Sequence, residues 1–224
     1  MKKKLLIIGG NSSVSKSFQK LFNKNYLIYT TTTKKNSKNN CFFLDLNNDV
    51  SILEFVKHIK KIKFDNILIT SGIIYGKTVT DYDFEKINTL FNINVLGVIK
   101  ILSKLLSKKT NKKMNIIFIS SISERKGSFD ELYASSKSAL SKIAKSLSIN
   151  YGSNLRVNVI APSVINKTKM HRMMSKKNIN KILNSTPNKK ILNCDDLAKI
   201  INDIFQDHWN HSNGSIIDVN GGII

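Results

Sequence analysis

The chain has 224 residues, 41% of them hydrophobic, and 36 Lys and Arg against 15 Asp and Glu give a formal net charge of +21. That length fits one domain with a substantial core, residues 1–224, and the hydrophobic share is ordinary for a globular protein. No apolar run reaches the ~18 residues needed to cross a bilayer, MKKKLLIIGG runs into a fold motif without a cleavable signal pattern, and Cys41 and Cys194 form no CxxC pair. A cytoplasmic protein with no membrane span, disulfide framework or zinc cluster is the expectation.

The charge raises nucleic acid or an anionic membrane as a partner, but its distribution argues otherwise. Lysines are scattered in twos and threes (Lys2 to Lys4, Lys34 and Lys35, Lys108 and Lys109, Lys112 and Lys113, Lys176 and Lys177) and Arg is nearly absent, whereas Arg carries most fork-like contacts to bases and phosphates. A solvated lysine surface is expected, with no nucleic-acid or membrane partner. An acidic substrate or carrier protein would still be steered toward it.

KKKLLIIGG reads as a buried strand breaking into a glycine turn, followed by a helix from Ser12 to Asn23 with Val14, Phe18, Leu21 and Phe22 on one side. YLIYTTTT and CFFLDL read as the next two strands, with a basic, Asn-rich loop from Lys34 to Asn40 between them. Val50 to Ile62 is an amphipathic helix, FDNILITSG a buried strand, and Asp83 to Ser107 a long helix leading to the strand MNIIFISS. A further helix covers Leu132 to Tyr151, and LRVNVIAPS is another buried strand. The pattern weakens between Ser163 and Lys190, where TKMHRMMSKKN reads as a short helix and NSTPNKK as loop, a segment placed to act as a lid. Asp195 to Asp207 is the last long helix and SIIDVNGG the final strand. Alternating strands and helices predict an α/β doubly wound fold, a parallel sheet of about seven strands covered on both faces.

Chemistry concentrates in LYASSKSAL. Tyr133 and Lys137 are four residues apart and share one helical face, so the phenol and the ammonium can enter the same cleft. A cation beside a tyrosine favours the phenolate and lowers a pKa that is ~10 in the free residue, which would let it exchange a proton with a carbonyl or alcohol. Taken alone, Tyr-x-x-x-Lys is a common surface pattern. Order makes it specific: a glycine-bearing turn, then Asn94 in FNINVLG, then Ser121 in ISSIS, then Tyr133 and Lys137, with RVNVIAPS and NGSIIDVNGG downstream.

That ordered set resembles the short-chain dehydrogenase/reductase family over essentially the whole chain. The resemblance implies a Rossmann fold, hydride transfer from a nicotinamide cofactor, and a catalytic tetrad at Asn94, Ser121, Tyr133 and Lys137. It also implies that Lys137 holds a cofactor ribose and that Tyr133 and Lys137 both line the cofactor site.

The family's T-G-x-x-x-G-x-G turn falls on Ile8 to Ser15. Gly9 matches, Asn11, Ser12, Ser13 and Val14 lie where backbone groups approach the pyrophosphate, and Ser13 and Ser15 stand in place of the second and third glycines. A serine Cβ narrows that approach and restricts the backbone, so weakened cofactor binding is the expectation. Asp45 is similar to the acid that binds the adenine amino group, with Leu46 beside the ring. Ile69-Thr70-Ser71-Gly72 stands for Asn-Asn-Ala-Gly, keeping Ser71 and Gly72 near the ribose. The second strand ends in Thr32, Thr33, Lys34 and Lys35 with no acid, which favours NADP(H) over NAD(H). Past Pro162, Ile165 and Thr168 resemble the stretch that covers the nicotinamide amide and phosphates.

Glu124, Arg125 and Lys126 lie where relatives meet substrate and are read either as greeting an anionic group or as a solvated loop. His208, Trp209 and His211 are read as a surface turn, since no carboxylate accompanies them at useful spacing, and no metal site is expected. The leading function is reduction of a ketone to a secondary alcohol or the reverse, with a small carbonyl or alcohol substrate. A 3-oxoacyl thioester on an acyl carrier protein is one option and a nucleotide-sugar or polysaccharide precursor another. The resemblance implies a homodimer or homotetramer built through the helices bearing Asn94 and Tyr133. A regulatory nucleotide-binding protein with the same fold, motivated by the missing glycines, and nucleic-acid binding through the charge are the competing readings.

Overall fold

Leu5, Leu6, Ile7 and Ile8 are all fully buried, which an alternating strand permits only if helices cover both faces of its sheet. Leu6 and Ile8 join one core cluster with Phe55, Val98, Ile101 and Leu140, while Leu5 and Ile7 join another with Val14, Phe18, Leu197 and Ile201. The computed structural model describes residues 2–34, 39–106, 113–152 and 154–223. Lys35, Lys108, Lys109, Lys112 and most of the loop expected from Lys34 to Asn40 lie outside them.

The order is β1 (Lys3–Ile8), α1 (Ser13–Phe22), β2 (Tyr26–Thr32), β3 (Cys41–Phe43), α2 (Asp49–Ile59), β4 (Asn66–Ile69), a 3-10 turn (Val79–Asp81), α3 (Phe84–Phe91), a π-helical turn (Asn92–Leu96) and α4 (Gly97–Leu105). There follow β5 (Met114–Ile119), α5 (Ser123–Lys126), α6 (Glu131–Asn150), β6 (Leu155–Pro162), α7 (Lys169–Met173), α8 (Lys176–Ser185), α9 (Cys194–Ile204), a 3-10 turn (Asp207–Trp209) and β7 (Ile216–Val219). The seven strands form one parallel sheet in the order β3-β2-β1-β4-β5-β6-β7. The order reverses between β1 and β4, and in such a sheet ligands enter at the carboxyl ends of the strands beside that switch.

Helix starts follow capping chemistry. Ser12, Asn48, Asp83, Asp130 and Asn193 each accept the amide of the third residue on, which satisfies one of the orphan donors of a first turn. Several boundaries differ from expectation. β3 stops at Phe43 because Asp45 to Asn48 turns, Asn48 N–H donating to the Asp45 carbonyl at 3.2 Å. The last long helix ends at Ile204, and Asp207–Trp209 is a separate 3-10 turn. The weakly patterned segment holds two helices, α7 and α8, and α8 takes in Asn184 and Ser185 of the stretch expected to be loop. The helix bearing Asn94 runs over 84–105 with a π turn inside it, and Ser107 lies outside the described residues.

Candidate active site

The π turn carries Asn94, which is 1% exposed. Its Oδ1 accepts the Ile73 amide at 2.7 Å, and its Nδ2 donates to the Ile73 carbonyl at 3.0 Å and to Ser136 Oγ at 2.9 Å. Ser136 in turn donates to the Tyr133 carbonyl at 2.8 Å. Asn94 therefore joins the chain leaving β4 to the helix that bears Tyr133 and Lys137. Gly97, next along, lets that helix approach the Leu46 backbone: a Cβ there would lie 2.5 Å from the Leu46 carbonyl oxygen.

Tyr133 and Lys137 are both buried on the inner face of α6. Lys137 Nζ donates to the Ile119 carbonyl at 3.1 Å and lies 5.8 Å from the centroid of the Tyr133 ring. Ser121, at the end of β5, accepts the Ser123 amide at 3.1 Å and donates to the Ser123 hydroxyl at 3.1 Å. Burial pushes the Tyr133 phenol up to about 12, against a downward pull from the Ser121 hydroxyl and with a further push from Asp130. Burial pushes Lys137 down to about 8, against an upward pull from Glu124. The expectation was a Tyr133 pKa lowered by Lys137; here burial is the largest cause and the direction is upward. At neutral pH the phenol keeps its proton.

Glu124 turns inward. It accepts from Ser141 at 2.5 Å and also from Ser120, and Ser120 donates to the Lys137 carbonyl at 3.2 Å. Arg125 is paired with Asp218, Nε to Oδ1 at 3.0 Å. Glu124 is half-buried, whereas Arg125 and Lys126 are exposed on α5.

Residues that would hold a dinucleotide lie at the same edge. Gly9 has φ +97°, and a Cβ there would meet the Ser71 amide nitrogen at 2.6 Å. Its amide donates to Thr31 Oγ1 at 3.0 Å. The first-turn amides of Ser13 and Val14 have no intrahelical partner and face where a pyrophosphate would lie. Val14 itself is 5% exposed and packs in the core, so only its backbone is available. Ser13 Oγ donates to the Lys167 carbonyl at 3.4 Å.

Ser15 is fully buried; its hydroxyl lies 2.7 Å from Thr70 Oγ1 and accepts from Ser12 Oγ at 2.9 Å, so its side chain packs between α1 and the end of β4. Asn11 Nδ2 donates to Thr32 Oγ1 at 2.7 Å, and the Lys34 amide donates to the same oxygen at 3.1 Å, placing Lys34 beside the exposed Thr33. Asp45 Oδ1 accepts the Asn47 amide at 2.9 Å, an Asx-type turn. Pro162 is buried at the end of β6, and its carbonyl accepts the Ile122 amide at 2.9 Å. Ile165 pairs with Leu192 in an isolated parallel bridge. Thr168 caps α7, accepting from His171 at 3.2 Å and donating to the Ile165 carbonyl at 2.8 Å.

These residues fit a nicotinamide dinucleotide on structural grounds. Ser71 Oγ is buried without a hydrogen-bond partner, and a Cβ at the neighbouring Gly72 would lie 3.0 Å from Lys137 Nζ. An orphaned hydroxyl and a bare backbone beside a buried ammonium form a cradle for a polyol such as a ribose.

Sequence reasoning passed over Asp130, Ser136 and Thr31. Asp130 had a legible signal as an acid opening a helix; the other two had none. His208, by contrast, does have a carboxylate, its Nε2 lying 3.2 Å from Asp203 Oδ1, and Trp209 Nε1 donates to the same group at 2.9 Å. Among the described residues no group of three His, Cys, Asp or Glu could hold a metal, and no helix is long and apolar enough to cross a membrane.

A doubly wound parallel sheet with Ser121, Tyr133 and Lys137 gathered at its carboxyl edge defines a class. The chain belongs to the short-chain dehydrogenase/reductase family, and a family model described as Enoyl-(Acyl carrier protein) reductase matches residues 27–224. It is accordingly an NAD(P)-dependent oxidoreductase. It is 28% identical over 239 residues to the 3-oxoacyl-[acyl-carrier-protein] reductase FabG of Buchnera aphidicola subsp. Baizongia pistaciae (strain Bp), an alignment covering 99% of this chain and 97% of that protein. Its fold matches a short chain dehydrogenase family protein from Francisella tularensis subsp. tularensis SCHU S4 with a TM-score of 0.88 at 22% identity, over 100% of this chain and 99% of the other. ElxO with NADP bound matches with a TM-score of 0.85 at 23% identity, over 100% and 99% of the two chains.

Proposed function

We propose that the protein reduces a ketone to a secondary alcohol with NADPH, using Ser121, Tyr133 and Lys137, with Asn94 holding the site together. The observation that carries this reading is geometric: Tyr133 and Lys137 are both buried on one face of α6, with Lys137 Nζ 5.8 Å from the centroid of the Tyr133 ring. Reduction of a carbonyl needs a proton donor at the developing alkoxide, and a neutral phenol is one. The bound nicotinamide would supply the hydride. Ser121 would hold the carbonyl oxygen through its hydroxyl, Tyr133 would donate the proton, and Lys137 would hold the ribose and return a proton toward the phenol. The small exposure of all three excludes bulk water from the transfer.

Preference for NADPH is supported by Asn11, Thr33 and Lys34 at the end of β2, where no carboxylate stands to bind a 2′-hydroxyl. The likeness to a 3-oxoacyl-[acyl-carrier-protein] reductase and the charge of +21 support a 3-oxoacyl thioester carried on an acidic protein as the substrate. Two copies would pair through the helix bearing Asn94 and through α6, where Leu96 of the π turn and Ile149 of α6 leave apolar surface exposed.

The test is titration with NADPH and NADH followed by nicotinamide fluorescence, then turnover of a 3-oxoacyl thioester by wild type and Tyr133→Phe. Micromolar NADPH binding by both proteins with turnover only in the wild type is expected. Failure to bind either nucleotide would sink this reading in favour of a non-catalytic protein.

A further inference from the structure

Asp130 is fully buried, yet it caps a helix, a task that a half-exposed serine performs as well. Its Oδ1 accepts the Tyr133 amide at 2.9 Å. Its Oδ2 accepts the Gly76 amide at 2.8 Å, and the Tyr82 hydroxyl donates to the two oxygens at 2.8 and 2.9 Å. Two of its three partners thus come from the 73–83 loop, about fifty residues earlier in the chain. Glu131 adds a second tie, accepting the Val79 amide at 2.9 Å. The loop's other end is held where Asn94 grips Ile73.

What this fastening presents is aromatic. The Tyr75 and Tyr82 rings meet edge to face, 5.8 Å between centroids at 81°. Gly76, at φ +69°, lies under Phe129, whose Cζ would be 3.9 Å from a Cβ on that glycine. Phe129 directly precedes Asp130 and is 67% exposed, and Val79 is 54% exposed. An apolar ring left in water four residues from a buried proton donor is placed for a ligand rather than for the core.

We propose that Asp130 is a positioning residue that fastens the 73–83 loop to the start of α6, so that Tyr75, Tyr82 and Phe129 form the wall on which an apolar or aromatic part of the substrate lies beside Tyr133. This rests on the reading of function given above. A buried carboxylate that accepts three donors is a strong, directional pin, because each bond is charge-assisted and loses little to water. Serine at the same place keeps the cap but is too short to reach Gly76 and Tyr82. The substrate class follows from the wall: aromatic rings favour a flat or hydrocarbon group.

The test compares Asp130→Ser and Tyr82→Phe with wild type in three measurements: amide hydrogen exchange at Gly76 and Val79 without ligand, NADPH affinity, and kcat and KM for a hydrocarbon-chain 3-oxoacyl thioester. For Asp130→Ser, faster exchange at Gly76, NADPH affinity within about twofold and KM raised roughly tenfold with a smaller change in kcat are expected, since the charge-assisted bonds from Gly76 and Tyr82 are both lost. Tyr82→Phe should raise KM by about threefold, and the double variant should be no worse than Asp130→Ser, because both remove the same link. Wild-type exchange and wild-type KM in Asp130→Ser would overturn the proposal, as would full additivity in the double variant. Should Asp130→Ser fail to fold, Tyr82→Phe keeps the cap, and an unchanged KM in that variant would overturn the wall. A wild type that binds no nicotinamide nucleotide while Asp130→Ser still loses Gly76 protection would sink the oxidoreductase reading and support the fastening.

Discussion

Asn94 holds Ile73 by both sides of its backbone, its amide oxygen accepting from the Ile73 N–H at 2.7 Å and its amide nitrogen donating to the Ile73 carbonyl at 3.0 Å. A side-chain amide used in this way acts like one more rung of backbone, and it projects from the π turn. Truncation leaves at least two buried polar groups unpaired. Asn94→Ala is expected to lose roughly 2–4 kcal/mol of stability, read as a lower urea midpoint with an unchanged slope. A variant as stable as wild type would show that this link carries no weight.

Tyr133→Phe keeps the ring, its packing and the Asp130 cap while removing the proton. The expected result is a fall in turnover of about 10²–10⁴-fold with NADPH affinity within about twofold. Retained turnover would assign proton donation to another group.

Lys137 should leave a signature in the pH dependence of stability. Its folded pKa of about 8 lies below the ordinary lysine value of 10.5, so between those values the unfolded chain binds more protons and stability rises with pH. The buried charge is most costly below about 8. Lys137→Met removes this dependence, so wild type should gain stability relative to the variant as pH rises from about 8 to about 10.5. Parallel curves from urea unfolding of the ligand-free proteins would contradict it.

Ser15 makes a separable prediction, because its hydroxyl meets Thr70 and Ser12 rather than a ligand. Ser15→Ala should cost about 1 kcal/mol and leave NADPH affinity within about twofold. A tenfold loss of affinity without loss of stability would mean that the hydroxyl touches the cofactor after all.

Much of the architecture was legible from residue pattern. Apolar runs such as LLII, NILI and NIIFI could only be strands covered on both faces, and the helices between them followed from 3.6-residue spacing and capping residues. Boundaries were less legible where side chains redirect the backbone, as at Asp45 to Asn48, where a strand-like CFFLDL turns early. The π turn left no trace, since one added residue in a helical turn barely alters the periodicity of FNINVLGVI.

The ordered residues Asn94, Ser121, Tyr133 and Lys137 and the alternation of strands and helices determined the family and the fold class, because both depend on local pattern and chain order. Tertiary structure alone decided the state of the site. The Tyr133 phenol titrates above its ordinary range because α6 and its surroundings bury it. Ser15 turns inward because Thr70 stands opposite it across the α1 and β4 packing. Asp130 reaches Gly76 and Tyr82 because folding brings a loop half a hundred residues away against the start of α6. Desolvation and long-range partners belong to the folded surroundings of a residue, and no spacing along the chain records them.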